Sequence, residues 1–356
     1  MSLRQKNNGR IRVGLIFGGK SPEHEVSVLS AKGILQNIDS EKFSIIEIGI
    51  DKAGDFWTAE KLSDRLENGV VEVDGLAGAR PAMAGVRPFD FFRDGKDIDV
   101  YFPILHGAGG EDGEIQGLIR STNKKFVGAD ILASAICLDK GIFKSLLAAT
   151  TIPQTAFKVL DFDKMRPELI KRIVSSAHDC LRFPIFVKPC NLGSSVGISK
   201  VSNTGQLSAA VDSAKKFDSR IVIEESVENA REIEVSVLGN GYADIRVSLP
   251  GEIVPGAEFY DYNDKYKNDK SRTIAPADLP ADLVARIQEF ARAAYDLVCC
   301  RGFARVDFLL NDKGHIFLNE INTLPGFTPI SMYPKMWEAS GLSFKNLVTK
   351  LIELAL

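Results

Sequence analysis

The chain reads as an α/β and α+β protein of three units, the first a doubly wound parallel sheet. Three observations predict this. The N-terminal third alternates apolar strand-like runs with helical stretches, the pattern of a parallel sheet with crossover helices. The middle of the chain repeats strand and helix around a Gly/Ser loop. The last third carries two β-rich runs joined by Asn311-Asp312-Lys313-Gly314, which reads as a hairpin turn.

In the first unit, residues 11–17 (IRVGLIF) form a buried strand, and Gly18-Gly19-Lys20-Ser21-Pro22 a turn. A helix is expected from Glu23 to Ile38, with Pro22 near its start. Further strands are expected over 43–50 and 100–105 (VYFPIL), and the unit spans 1–135. The second unit, 136–230, should hold a helix over 140–150, strands over 155–160, 184–189, 197–201 and 220–225, and helices near 166–180 and over 204–217. The third, 231–356, opens on the strand EIEVSVLGN, carries the hairpin and closes with a helix over 342–356. Tyr260 to Ser271 (YDYNDKYKNDKS) has no regular period and reads as a long functional loop.

Bulk properties exclude several classes. With 356 residues the chain can bury a sizeable core. A net charge of −3 gives no electrostatic case for nucleic acid. No apolar run approaches the ~20 residues that span a bilayer, and MSLRQKNNGR lacks the apolar core of a signal peptide. Membrane attachment is therefore not expected. Five cysteines without a CxxC pattern read as reduced, buried structural thiols of a cytoplasmic protein.

The chemistry is concentrated near the end of the chain. Arg305, Asp307, Glu320 and Asn322 sit at two-residue spacings on the hairpin strands, so they share one face. If position 310 closes against 315, Arg305 faces Glu320, and Asp307 faces Leu318. Two carboxylates and an amide oxygen are hard ligands suited to magnesium, which commonly shares its shell with phosphate oxygens. Phe303, Leu309 and Leu324 surround these charges with core-like residues, and clustered carboxylates repel unless something neutralises them.

Two glycine-rich loops extend the picture. Lys188-Pro-Cys-Asn-Leu-Gly-Ser-Ser-Val-Gly197 is a strand ending in lysine, then small residues that let backbone N–H groups approach phosphate. His106-Gly-Ala-Gly-Gly-Glu-Asp-Gly113 follows the strand VYFPIL, at the carboxyl edge where open α/β sheets bind ligands. A third candidate is a decoy. Gly14 to Ser21 matches the phosphate-loop pattern literally, but Leu15, Ile16 and Phe17 continue a buried strand, and Pro22 interrupts what should be helix.

Taken together, GGKSPEHEVS, HGAGGEDG, LDK at 138–140, FVKPCNLGSSVG, REIEVSVLG, FYDYNDKY, ARVDF and NEINTLPGFTPISMYP resemble the ATP-grasp superfamily and, within it, the D-alanine–D-alanine ligase family, over essentially the whole chain. The resemblance implies an N-terminal substrate-binding domain, a central lid and a C-terminal mixed-sheet domain, with ATP as co-substrate between the last two. It implies ATP-dependent formation of D-alanyl-D-alanine from two D-alanines through an acyl phosphate, for peptidoglycan precursor synthesis. By the resemblance Lys140 and Lys188 hold ATP phosphates, Ser194 and Ser195 belong to the phosphate loop, and Glu224, Val227 and Glu232 look like hinge and ribose contacts. Asp307, Glu320 and Asn322 look like ligands of two Mg2+ ions, with Mn2+ a possible substitute. Glu23 looks like the carboxylate that holds the first D-alanine's amine, with His106 near the same substrate. Arg305 and the Gly326 N–H look like an oxyanion clamp. Lys265 and Ser331 look like contacts to the second carboxylate, and Lys265 also lies near ATP. Ser194 and Tyr266 match the pair that, with Glu23, ties a loop over the closed site. A homodimer is implied on the same ground.

The chain departs from the family pattern at EESVENARE (224–232), one residue longer than usual and without the usual glycine, and at Cys190 and Leu192. The hinge contacts therefore stay open. Rival readings are a ligase that joins D-alanine to D-lactate or D-serine, another ATP-grasp carboxylate–amine ligase, or a non-catalytic nucleotide-binding module. Tyr262, Lys265 and Tyr266 favour the dipeptide-forming type. Retention of Arg305, Asp307, Glu320 and Asn322 disfavours a non-catalytic module. No G-x-G-x-x-G follows the first strand, which disfavours a dehydrogenase.

Overall fold

The computed structural model describes residues 9–65, 85–193, 196–254 and 272–356. The expected parallel sheet is present at the N-terminal end. Strands β1 (Ile11–Gly18), β2 (Phe43–Ile50), β3 (Phe56–Thr58), β4 (Arg87–Pro88), β5 (Val100–Pro103) and β6 (Lys125–Phe126) are ordered β4-β3-β2-β1-β5-β6. β1 is parallel to β2 and β5, and β5 to β6, while β3 and β4 add an antiparallel edge. Val13, Leu15, Ile16 and Phe17 of β1 are buried, as a central parallel strand covered on both faces requires.

Helix α1 (His24–Asn37) follows β1. Its Glu23 sits at the N-cap without making a side-chain cap. Gly33 on the same helix is needed for close approach, since an added Cβ would lie 2.1 Å from the Phe327 carbonyl oxygen.

The second sheet contains β7 (Phe157–Asp161), β8 (Ile185–Pro189), β9 (Ser199–Val201) and β10 (Arg220–Glu225), ordered β7-β10-β8-β9 with antiparallel pairings. Its core is its own: Leu160, Ile185, Val187, Leu207, Val211, Ile221 and Ile223 pack together.

The third sheet contains β11 (Arg231–Leu238), β12 (Arg246–Val247), β13 (Gly251–Val254), β14 (Arg272–Ile274), β15 (Phe303–Leu310) and β16 (Ile316–Asn322). A mixed sheet was the expectation here, but the pairings among these described strands are antiparallel and the parallel ladders lie in the first sheet. Helix Ala281–Leu297 covers this sheet through Ile287, Ala291, Ala294 and Tyr295, and Ala133, Cys137, Phe143 and Leu147 join the same core. The terminal helices Met332–Ala339 and Phe344–Ala355 reach back to the first sheet, where Trp337, Leu347 and Leu351 pack with Phe17, Phe102 and Phe327.

The cysteine expectation holds only in part. Cys137, Cys190 and Cys300 are buried, but Cys180 and Cys299 are exposed because each lies where a helix has just ended. Burial, with Asp139 nearby, pushes the Cys190 thiol up to about 12, so it is no nucleophile.

Candidate active site

The hairpin is present, but its register differs from the one expected. Leu310 pairs with Ile316, Phe308 with Leu318, Asp307 with Glu320 and Arg305 with Asn322, with a shift between Asp307 and Phe308. Asn319 is therefore an extra residue, a β-bulge. The physical reason is parity. Leu318 and Ile321 are both buried, three residues apart, which strict alternation forbids. The bulge lets both enter the core while Glu320 and Asn322 stay half-buried on the side of Arg305 and Asp307. At the turn, Asn311 donates its N–H to the His315 carbonyl at 3.1 Å, which sets the shifted register.

On this face Arg305 holds Asp307 with two parallel bonds, Nε to Oδ1 at 2.7 Å and Nη2 to Oδ2 at 2.6 Å. Glu234, opposite Asp307 on β11, lies 3.3 Å from Arg305 Nε. Burial opposes the Arg305 charge, but Asp307 and Glu234 outweigh it and raise its pKa well above the ordinary value. The donor set fits a hard divalent cation: two carboxylates directly opposite each other and an amide oxygen two pairs further along, on the same face. Among the described residues no trio of carboxylate, imidazole or thiol groups forms a ready cage. Asp307 would have to turn an oxygen away from Arg305 to ligate such an ion.

Two cavities meet here. One of about 130 Å3 is lined by Glu23, His106, Asn322, Gly326 and Ser331, among others. The other, about 880 Å3, is of nucleotide size and is lined by Lys188, Glu224, Val227, Glu232, Asp307 and neighbours. Lys140, Gly193, Glu234, Arg305 and Glu320 line both, so the two open onto one another at the acidic hairpin.

Lys140 begins the helix Lys140–Leu147, capped by Asp139, and its Nζ donates to the Leu192 carbonyl at 2.6 Å. Lys188 lies on β8, its ammonium 2.5 Å from Glu224 Oε1, while Lys144 lies 2.6 Å from Oε2 of the same carboxylate. Thr155 Oγ1 also donates to Glu224, at 2.9 Å. Burial would raise the Glu224 pKa, but Lys188 and Lys144 hold it far below the usual carboxylate range. Lys144 was not foreseen. The signal was available, because it stands four residues after Lys140 on one helix face. Lys20 of the decoy motif is exposed and lines neither cavity.

Around the smaller cavity, Glu23 stands beside the glycine loop. A Cβ on Gly107, whose φ is +73°, would lie 2.9 Å from Glu23 Oε2. Glu111, another residue the sequence reading passed over although it lies inside HGAGGEDG, lines the same cavity. Burial, then Glu23 and Glu320, pushes its pKa up to about 8. His106 is buried with both ring nitrogens engaged, Nδ1 2.9 Å from the Leu324 carbonyl and Nε2 3.0 Å from Ser30 Oγ. The carbonyl can only accept, so Nδ1 carries the proton and Nε2 accepts from Ser30. Burial lowers the His106 pKa, which favours this neutral form. Ser331 accepts the Thr328 N–H at 3.0 Å beside Gly326, where a Cβ would lie 2.7 Å from Ser331 Oγ. Ser194, Ser195, Tyr262, Lys265 and Tyr266 lie outside the described residues.

A lysine-bearing antiparallel sheet facing a second antiparallel sheet with an acidic hairpin, across a nucleotide-sized cleft, defines an ATP-grasp ligase, a class that uses ATP and a divalent metal. The family models described as D-ala D-ala ligase N-terminus and C-terminus match residues 12–129 and 146–353. The chain belongs to the D-alanine–D-alanine ligase family. It is 44% identical over 347 residues to the D-alanine–D-alanine ligase of Halothermothrix orenii, covering 98% of each chain. It is 45% identical over 364 residues to the D-alanine–D-alanine ligase A of Chromobacterium violaceum, covering 98% of this chain and 96% of that one. Among solved structures, the VanG D-Ala:D-Ser ligase from Enterococcus faecalis superposes with a TM-score of 0.85 at 33% identity, over 98% of this chain and 100% of that one. The D-alanine–D-alanine ligase from Coxiella burnetii gives 0.78 at 35% identity, over 98% and 94%. Among the described residues no helix is long and apolar enough to cross a membrane.

Proposed function

We propose that the chain joins two D-alanine molecules into D-alanyl-D-alanine at the expense of ATP, supplying a peptidoglycan precursor, with the two connected cavities as its active site. The observation that carries this reading is the set of residues common to both cavities. Lys140, Arg305 and Glu320 border the nucleotide cleft and the small-substrate cavity at once, so a phosphoryl group held in one can reach a carboxylate held in the other.

In this reading Glu23 holds the ammonium of the first D-alanine, and Arg305 with the Gly326 N–H holds its carboxylate. Lys140 and Lys188 grip the phosphates, Glu224, Val227 and Glu232 receive the adenine and ribose, and Ser194 and Ser195 add loop contacts. A carboxylate oxygen attacks the terminal phosphorus, ADP leaves, and an acyl phosphate remains. Positioning and charge neutralisation are what this transfer needs. Two magnesium ions held by Asp307, Glu320 and Asn322, with manganese able to replace them, would supply neutralisation of phosphate charge when bound. The amine of the second D-alanine, its carboxylate near Ser331 and Lys265, then attacks the acyl carbon. The oxyanion meets Arg305 and the Gly326 N–H, and phosphate departs. His106 does not serve as base in this reading, because Nε2 accepts from Ser30. Ser194 and Tyr266, with Glu23, close the site against water, which would destroy the acyl phosphate. The units 1–135, 136–230 and 231–356, a homodimer and a cytoplasmic location belong to the same proposal.

The test is phosphate release from ATP with D-alanine, D-lactate and D-serine, offered singly and in pairs, with products identified by mass. Turnover with D-alanine alone and a D-alanyl-D-alanine product are expected. The VanG similarity makes D-serine the informative competitor. Dependence on D-serine as second substrate would replace the dipeptide reading.

A further inference from the structure

The segment that presents the Gly326 N–H is held by side chains rather than by its own backbone. Leu324-Pro325-Gly326-Phe327 follows the end of β16 and has no regular secondary structure, with the Leu324 carbonyl at its start and the Phe327 N–H at its end. Here those two groups are joined through two side chains from the N-terminal part of the chain. Phe327 donates its N–H to Ser30 Oγ at 3.1 Å. Ser30 Oγ lies 3.0 Å from His106 Nε2, and His106 Nδ1 lies 2.9 Å from the Leu324 carbonyl. Every donor in this ring has one acceptor: Phe327 N–H to Ser30, Ser30 O–H to His106, His106 Nδ1–H to Leu324. Ser30, His106, Leu324 and Phe327 are all buried, so none of these bonds competes with bulk water.

Ser30 also stands seven residues after Glu23 on the helical face of α1, two turns and roughly 10 Å further along the axis. One rigid helix therefore carries, at its start, the carboxylate beside the substrate cavity and, two turns on, the hydroxyl that anchors the Gly326 segment. The contact is close throughout: Gly33, three residues beyond Ser30, allows α1 to touch the Phe327 carbonyl.

We propose that Ser30 is a positioning residue of the ligation: through Phe327 and His106 it fixes the direction of the Gly326 N–H, and so keeps the acyl phosphate poised for the amine rather than for water. The inference rests on the reading of Gly326 given above. Its chemical consequence is specific. If the segment loosens, water adds to the acyl carbon, the carbon–oxygen bond to phosphate breaks, and D-alanine and phosphate are returned. ATP is then hydrolysed without a peptide bond being made.

The experiment measures phosphate and dipeptide in the same steady-state reaction, with the full chain, ATP, magnesium and D-alanine. Wild type should give one phosphate per dipeptide. Ser30→Ala should lower kcat for dipeptide about tenfold, the scale of one lost positioning hydrogen bond. It should also raise the phosphate-to-dipeptide ratio at least about threefold, with KM for ATP unchanged. Ser30→Cys, which keeps the volume with a weaker hydrogen bond, should fall between them. A partly unfolded preparation lowers both products together and leaves their ratio alone, so the ratio separates positioning from folding. A ratio of one in both variants would overturn the proposal. A wild-type chain that makes no dipeptide would instead overturn the functional reading on which it rests.

Discussion

Glu224 shows how much of this site is set by single charges. A carboxylate buried on β10 would be costly alone, yet it accepts from Lys144, Lys188 and Thr155. Lys144→Met should therefore destabilise the protein by about 3 kcal/mol or more, because it leaves a buried charge half-compensated. The double change Lys144→Met with Glu224→Gln should cost less than the sum of the single changes. Urea unfolding of the three variants measures this, and additive losses would show that the pair is not coupled.

Glu111 makes the opposite prediction. Its folded pKa is raised from 4.5 to about 8, so the fold holds a proton that the unfolded chain releases. Its contribution to stability is fully present below pH about 4.5 and is lost as pH rises through about 8. Glu111→Gln should flatten the stability–pH curve of the nucleotide-free protein across that window, measured by thermal melts. Parallel curves for wild type and variant would contradict the assignment. At this scale the sequence was legible where a motif carried the residue, as for Arg305, Lys188 and Glu23. It was not legible for Ser30, an ordinary serine on an ordinary helix, whose importance comes from a segment 297 residues away.

The element that decides the site is the β15–β16 hairpin. Its existence and turn were readable from Asn311-Asp312-Lys313-Gly314 between two β-rich runs. Its register was not: closing 310 against 315 with unbroken alternation puts Arg305 opposite Glu320, whereas Leu310 pairs with Ile316 and the pairing slips once more at Asn319. The clue lay in the apolar spacing, since Leu318 to Ile321 is a step of three. The bulge at Asn319 resolves it by giving the core both apolar residues and the cleft both polar ones. Deleting Asn319 should remove the parity switch and force either Leu318 out of the core or Glu320 and Asn322 away from Asp307. The expected outcome is loss of nearly all turnover and a lower melting temperature. Asn319→Ala, which keeps the extra residue, should retain both. A deletion variant with near-normal activity would show that the bulge is dispensable.

At the scale of the molecule, the first sheet was the most legible part, because a parallel sheet covered on both faces leaves long apolar runs such as IRVGLIF. How the units join was hidden. Phe102 from the first sheet, Phe303 from the third and Phe327 beside Gly326 meet edge to face with centroids 5.5 to 6.2 Å apart. Such non-local packing has no sequence period to betray it. It joins β5, which leads into the glycine loop, to β15 of the hairpin through one core.

The central claim is that a carboxylate held beside Arg305 takes the terminal phosphoryl group of ATP before any peptide bond forms. D-Alanine labelled with 18O in its carboxylate tests this most directly, with the released phosphate analysed by mass spectrometry. Transfer through an acyl phosphate carries one labelled oxygen from D-alanine into each phosphate, and Asp307→Asn should abolish the labelled product. Phosphate released without label, while dipeptide still accumulates, would contradict the account.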